Sequence, residues 1–544
     1  MKNRTFELEG NIVDVVARRI FQGRVSVTDG RITGITEEKV DASHYILPGL
    51  VDAHIHIESS MLIPSEFARL AVVHGTVASV SDPHEIANVL GIPGVMFMIE
   101  NGKKVPFKFN FGASSCVPAT KFETAGASLG VDEITSLLAM DEIRYLSEMM
   151  NFPGVLFEDP EVMAKLTAAK KAGKPIDGHS PGLRGKDAKK YIEAGISTDH
   201  ECFTKPEALE KIQYGMKILI REGSAAKNFE ALCSLIDEYP EMVMLCSDDK
   251  HPNDLEIGHI NELVVRAMKK GSDFMDVIRS CTYHPVTHYR LPVGLLQPGD
   301  PADLIIVDNL DRFFVKATYV DGVKVADNGK TLIGSVVESP SNNFSTDPVK
   351  AEELRVTATK GEIRVQKALD GQLITEEIHV TPRVINGFVE SDPQRDILKM
   401  VVKTRYNSSP PAVGFANGFG LKQGAIASCV AHDSHNIVAI GADDDSITRA
   451  INLIVSSTGG ISIVEGDHDM VIPLPFAGIM SDQDGYSIAQ LYEQIDQWAK
   501  RLGSELRAPY MTLSFMALLV IPDLKLSDKG LFDGRKFAFT SLFC

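Results

Sequence analysis

A chain of 544 residues and 59.4 kDa has room for three or four domains, or for one large barrel with additions. Hydrophobic residues make up 44% and charged residues 24%, a balance that excludes long disorder. With 73 acidic residues against 55 Lys and Arg, the formal charge of −18 argues against a grip on nucleic acid or an anionic membrane.

The opening MKNRTFELEG has no signal-peptide core. Arg24 to Thr28 alternates, Asp29-Gly30 marks a turn, and Arg31 to Ile35 alternates again, which predicts a hairpin. A matching strand-rich patch lies at Ala302 to Val307 and Ala317 to Val325, with Asp321-Gly322 at its turn. The two patches predict one small β-sandwich assembled from residues 1–49 and 291–337. Between them, residues 50–290 alternate short apolar runs (Thr76 to Val80, Gly154 to Phe157, Met242 to Cys246) with helical stretches (Asp187 to Ala194, Pro206 to Gly215). That alternation predicts βα units, and the length suits an α/β (β/α)8 TIM-like barrel. Glu338 to Pro348, ESPSNNFSTDP, reads as a linker.

Residues 349–544 then form a further α+β domain. It opens with strands at Ile363 to Val365 and Ile374 to Val380. It also carries an amphipathic helix with Ile488, Leu491, Ile495, Trp498 and Leu502 on one stripe. No apolar run reaches the ~20 residues that cross a bilayer; Met511 to Ile521 is short and broken by Thr512 and Ser514. Seven scattered cysteines form no C-x-x-C pair, so a reducing, cytoplasmic setting is expected.

The strongest chemical signal is His54-Ile55-His56 in Pro48-Gly49-Leu50-Val51-Asp52-Ala53-His54-Ile55-His56. Residues two apart in a strand share a face, so both imidazoles can reach one metal ion. Asp177-Gly178-His179, Thr198-Asp199-His200-Glu201 and Cys246-Ser247-Asp248-Asp249 each follow a short apolar run. Strand ends of a barrel converge on one site. His54, His56, His179, His200 and Asp248 therefore make a mixed nitrogen–oxygen cage suited to Zn(II), Fe(II) or Mn(II). His84 and Glu85, after the strand at Ala78 to Ser81, should lie near the barrel mouth, as should Arg221 and Glu222; a packing role or a structural ion pair competes with a substrate contact for each. Ala431-His432-Asp433-Ser434-His435-Asn436 reads as a polar turn. Its alternative is a loop closing the pocket, with His432 and His435 as the ligands if it holds metal. The H-x-E at His56 to Glu58 lacks the later P-C-x-x-C of the zinc nucleobase deaminases, and no Walker loop is present.

PGLVDAHIH followed by His, His and Asp in this order resembles the amidohydrolase superfamily. Finer motifs are similar to its adenine deaminase branch: Ile57-Glu58-Ser59-Ser60-Met61, Asp82-Pro83-His84-Glu85-Ile86-Ala87-Asn88-Val89, Ser115-Cys116-Val117-Pro118-Ala119-Thr120 and Glu148-Met149-Met150-Asn151-Phe152-Pro153-Gly154-Val155. Asp248-Asp249-Lys250-His251-Pro252 and the AHDSHN and Met511 to Phe515 segments extend the similarity over nearly the whole chain.

The resemblance implies two divalent ions, Mn(II) or Fe(II) ahead of Zn(II). His54 and His56 would hold one and His179 and His200 the other. Glu148 would bridge them from the fourth strand, with Glu158 as the alternative, and Asp248 would be ligand and proton acceptor. It implies hydrolysis of adenine to hypoxanthine and ammonia, because a metal makes hydroxide available near neutral pH for attack at C6. The acid at N1 is then sought among Glu201, Glu85 and His84. Asp249, Ser59, Arg221 and Glu222 are the candidates for binding the purine. A homodimer or higher homo-oligomer is expected, with adenine and water as small partners. Another amidohydrolase acting on a cyclic amide is the alternative.

Overall fold

Eight parallel strands follow one another through the middle of the chain in the computed structural model, which describes residues 4–544. They are β1 (Leu50–Ile55), β2 (Thr76–Ser81), β3 (Lys108–Ala113), β4 (Ile143–Met149), β5 (Ile176–Gly178), β6 (Thr198–Asp199), β7 (Lys217–Arg221) and β8 (Val243–Cys246). β1 to β5 pair in chain order, and so do β6 to β8. Ser197 N donates to Ile176 O at 2.9 Å, which joins the two sets at β5 and β6. Asp248 N donates to His54 O at 2.9 Å and His56 N to Asp248 O at 3.3 Å, which returns β8 to β1 and closes the barrel. β1, β2 and β8 are buried at every position, as strands covered on both faces must be.

One expected strand is a helix. Phe152–Leu156 is helical because Asn151 accepts Gly154 N at 2.9 Å and Pro153 occupies the first turn. The run Gly154 to Phe157 therefore follows the fourth strand instead of forming it, and Ile143–Met149 takes that place.

Strands from both flanks of the barrel join one eight-stranded sheet. Tyr45–Pro48 pairs with Leu304–Val307 at its centre. The sheet folds over, so that Ile32 N meets Asp300 O and Ala302 N meets Gly30 O, each at 2.9 Å. Ile12, Val25, Val27, Ile32, Ile46 and Leu304 fill the space inside.

Residues 332–350 have no helix or strand, yet they are tied down on both sides. Asn343 Nδ2 donates to Val89 O of the barrel at 3.2 Å, while Ser341 O accepts Ala477 N and Ser345 N donates to Arg405 O, both at 2.7 Å. The last domain is built on a second eight-stranded sheet. Its strand Leu398–Lys403 shows the two-residue period plainly. Val401 faces the helix Asp444–Ser457, whereas Met400 and Val402 face the core shared with the barrel. The helix Gly485–Arg501 buries Ile488 and Ile495 in that shared core. No described helix is long and apolar enough to cross a membrane, and all seven cysteines are free.

Candidate active site

Glu148 lies at the centre of the cage. Its Oε1 is 3.2 Å from His56 Nε2, and its Oε2 is 2.8 Å from His179 Nδ1 and 3.1 Å from His200 Nε2. Asp248 Oδ1 stands 3.3 Å from His56 Nε2 and 3.8 Å from His54 Nε2, and those two imidazole nitrogens are 3.2 Å apart. Strands β1, β4, β5, β6 and β8 thus deliver six side chains to one buried point beyond their C-terminal ends. Glu158 is elsewhere: it is exposed and paired with Lys190 at 2.8 Å.

The donor set fits divalent metal. His56 Nδ1 lies 3.2 Å from Asp82 O, a partner that takes the ring N–H and leaves the Nε2 lone pair facing two carboxylates. Such a pair of lone-pair donors needs a cation between them. Burial opposes charging His200, yet Glu148, Asp248 and Glu201 carry its pKa up to about 9. Without metal, the cage therefore holds protons, and metal binding here must release them.

Arg221 ends β7 and is buried beneath the cage. Its Nη2 donates to Glu201 Oε2 at 3.0 Å, and its Nη1 touches Glu201 Oε1 and meets Asp248 Oδ2 at 2.5 Å. Burial would raise the Asp248 carboxyl, but Arg221 and His56 hold it well below the usual range. The guanidinium is thus spent on carboxylates. Glu222, the next residue, points the other way. It pairs with Arg266 at 2.6 Å and Lys227 at 3.4 Å and does not line the cavity, so its assignment to substrate binding is corrected. Successive side chains leaving a strand diverge, which separates Arg221 from Glu222.

Asp248 has a left-handed backbone (φ 59°), a conformation Asp tolerates better than most residues. The turn sends Asp248 to the histidines and Asp249 to the cavity wall. Ser59 Oγ donates to Asp249 Oδ1 at 2.5 Å, so Ser59 supports Asp249 and is not itself in the cavity lining. Burial, aided by Asp248 and opposed by His432, raises the Asp249 carboxyl above its usual range.

A second buried network fixes the turns after β5 and β6. Asp199 accepts Lys211 Nζ at 2.5 Å, Glu201 N at 3.0 Å, Ser180 Oγ at 3.1 Å and Ser180 N at 3.3 Å. Lys211 also donates to Ser180 O at 2.8 Å and Glu207 Oε1 at 3.0 Å. His179, His200 and Glu201 are held in place through these contacts.

The roof comes from the last domain. Leu373, His432, Asp433, Phe515 and Leu518 line the cavity opposite the cage. The His432 and Phe515 rings stack with centroids 5.2 Å apart at 23°. The AHDSHN segment is therefore not merely a polar turn. His432 Nδ1 contacts Glu85 Oε1, and His435 Nε2 is 2.5 Å from Glu85 Oε2. His84 turns Nδ1 toward Asp82 Oδ2 (3.1 Å) and Glu148 Oε1 (3.3 Å). The sequence reading did not single out Asp82, Asp433 or Phe515 as site residues; the density of polar residues in AHDSHN was the available signal.

Comparisons with known proteins agree with this division of the chain. Residues 45–325 match the amidohydrolase family model, and residues 372–538 match the model of the adenine deaminase C-terminal domain. A Sulfurovum protein described as adenine deaminase is 56% identical over 534 residues, covering 98% of this chain and 99% of its own. Adenine deaminases of Methanosarcina mazei and Borreliella burgdorferi are 53% and 45% identical, each again covering 98% of this chain and 99% of their own.

Proposed function

The chain belongs to the adenine deaminase family of the amidohydrolases, and from that premise we propose that it hydrolyses adenine to hypoxanthine and ammonia. The observation that carries this reading is the cavity between the cage and the last domain. A His-and-carboxylate cage forms its floor, and its apolar roof of Leu373, Phe515 and Leu518 comes from within the segment matched by the adenine deaminase C-terminal model. A flat heteroaromatic ring suits such a slot, with apolar faces above and polar groups at its edge.

Two divalent ions would be held by His54, His56 and Asp248 on one side and His179 and His200 on the other, with Glu148 between. When bound, they would supply water acidified to near neutrality and polarise the reacting carbon's substituents. The set contains imidazole and carboxylate and no thiolate, which supports Mn(II) or Fe(II), with Zn(II) as the alternative.

Asp248 is the general base in this reading. Arg221 keeps it ionised through one oxygen, and the other faces the histidines, where the attacking water belongs. As a C6–O bond forms, Asp248 takes the water proton. Asp249, held by Ser59, contacts a ring nitrogen and supplies its proton. The C6–N bond then breaks, Asp248 returns its proton to the departing amine, ammonia leaves, and the C6 hydroxyl gives its proton back to Asp249, leaving hypoxanthine. Glu201, tied to Arg221 through both oxygens, is a positioning residue and not the proton donor. Strand β4 carries Glu148 and no Lys, which favours this reaction over cyclic-amide hydrolysis. The reading includes a cytoplasmic homo-oligomer, with seven free cysteines in keeping with a reducing compartment.

The test is direct. Metal-free protein is loaded with Mn(II), and ammonia and hypoxanthine are followed from adenine, with adenosine and a cyclic amide alongside. Turnover of adenine alone is expected. Turnover of the cyclic amide alone, at full metal content, would overturn the substrate assignment.

A further inference from the structure

We propose that His84, Glu85, Asp433 and His435 form a third cation site, beside the six-residue cage and closed by the last domain, for a first-row divalent metal. His84 Nε2 lies 3.3 Å from Glu85 Oε1 and 3.6 Å from Asp433 Oδ1, and His435 Nε2 lies 2.5 Å from Glu85 Oε2. The ligand atoms of His84, Glu85 and Asp433 fall within 4.8 Å of one another, and all three residues are buried. This is the reach of one ion.

Independent support comes from unsatisfied atoms. His84 Nε2 and Asp433 Oδ2 are both buried and have no hydrogen-bond partner. Two such atoms in one cluster carry a desolvation cost that a shared ligand would remove. No described Lys or Arg side chain forms an ion pair with Glu85 or Asp433; their charged partners are imidazoles alone. Two carboxylates among imidazoles, away from water, are matched by a dication. The imidazoles are also oriented for the task. His84 has Asp82 Oδ2 behind it at 3.1 Å from Nδ1. Cys429 O lies 3.2 Å from His435 Nδ1, although Ala431 N lies equally close. Metal-binding imidazoles commonly show such a carboxylate or carbonyl on the far nitrogen. The mixture of imidazole and carboxylate selects Mn(II), Fe(II) or Zn(II) over Mg(II) or Ca(II).

His84 also faces Glu148 Oε1 at 3.3 Å through Nδ1, so one ring separates the third ion from the other two. Because Asp433 and His435 belong to the last domain and Glu85 to the barrel, the ion would fasten the roof to the floor.

Metal content tests the proposal. Metal-free protein reloaded with excess Mn(II) and desalted should retain about three equivalents per chain, and Asp433→Asn and His435→Asn should each retain about two. Diffraction from crystals of the loaded wild type, collected at the Mn absorption edge, should show a third anomalous peak between Glu85 and Asp433. That measurement needs no variant, so a folding failure in either variant leaves the test intact. Saturation of the wild type at two equivalents, with no third peak, would overturn the proposal. Retention of three equivalents by Asp433→Asn and His435→Asn would also overturn it. Loss of all metal in both, with the wild type showing only the two cage peaks, would assign these residues to the cage instead.

Discussion

Lys211→Met isolates the buried pair that holds the β5 and β6 turns. Both Lys211 and Asp199 are almost wholly buried, and Lys211 is the only Lys or Arg paired with that carboxylate among the described residues. Breaking such a pair by removing one partner costs about 3–5 kcal/mol, because a charge is left buried. Asp199 keeps Ser180 N, Ser180 Oγ and Glu201 N at 3.0–3.3 Å, which places the expected cost near the lower end, ~3 kcal/mol, or roughly two powers of ten in the folding equilibrium. Thermal unfolding of the wild type, Lys211→Met and the double variant Asp199→Asn/Lys211→Met reads this cost. The double variant removes both charges of the pair, leaving only the Glu207 carboxylate without its Lys211 partner, and should recover part of the loss. Burial pushes the Asp199 carboxyl up, but Lys211 outweighs it and holds the group well below its usual value. The pair's contribution is therefore fully present above about pH 4, the unfolded value for Asp, and is lost as pH falls through the lower native value. The gap between wild type and Lys211→Met should narrow in acid. A single variant as stable as wild type, or a double variant no better than the single, would refute the reasoning.

His54→Ala should strip metal from its side of the cage and remove most turnover; elemental analysis beside an ammonia assay reads both, and full metal with normal turnover would end the ligand assignment. Asp248→Asn should lower kcat by about 10²–10⁴, the usual range for a lost general base, while an unchanged rate would remove its proton role. Phe515→Ala should open the roof, raising the KM for adenine and costing about 3–5 kcal/mol of stability, read by steady-state kinetics and thermal unfolding. Lys525 donates to the carbonyls of the roof residues Leu373 (2.8 Å) and Phe515 (2.9 Å), and burial pushes its pKa down to about 7. Between there and the ordinary 10.5, the unfolded chain binds a proton that the folded one rejects, so stability should rise with pH across that window. Lys525→Met should flatten the rise in a series of melting temperatures.

The parts of the site legible in the sequence are those written locally. His54-x-His56 could be read because a strand's two-residue period puts both rings on one side, and Asp248-Asp249 because it follows an apolar run. Pro153 and Asn151 could have warned that Gly154 to Phe157 is helical, but four apolar residues alone suit either state. Glu222 was misplaced because the point at which β7 ends decides which of two adjacent side chains faces inward. His432 was beyond local reading. It meets Glu85 across 347 residues, and no periodicity near either residue encodes that contact. The same holds for Phe515, whose neighbours Thr512 and Ser514 look like interruptions of an apolar run until the roof is seen.

The origin of that roof divides the labour along the chain. Every cage residue lies before residue 250, so a fragment ending at the linker would keep all the side chains that grip metal. It would lack His432, Phe515 and Leu518, and its cage would open to bulk water. The ability to bind a metal and the ability to keep a reacting ring dry therefore reside in different stretches of one polypeptide. The linker's hydrogen bonds reach both bodies, so the roof is tied to the barrel at the linker as well as at the site.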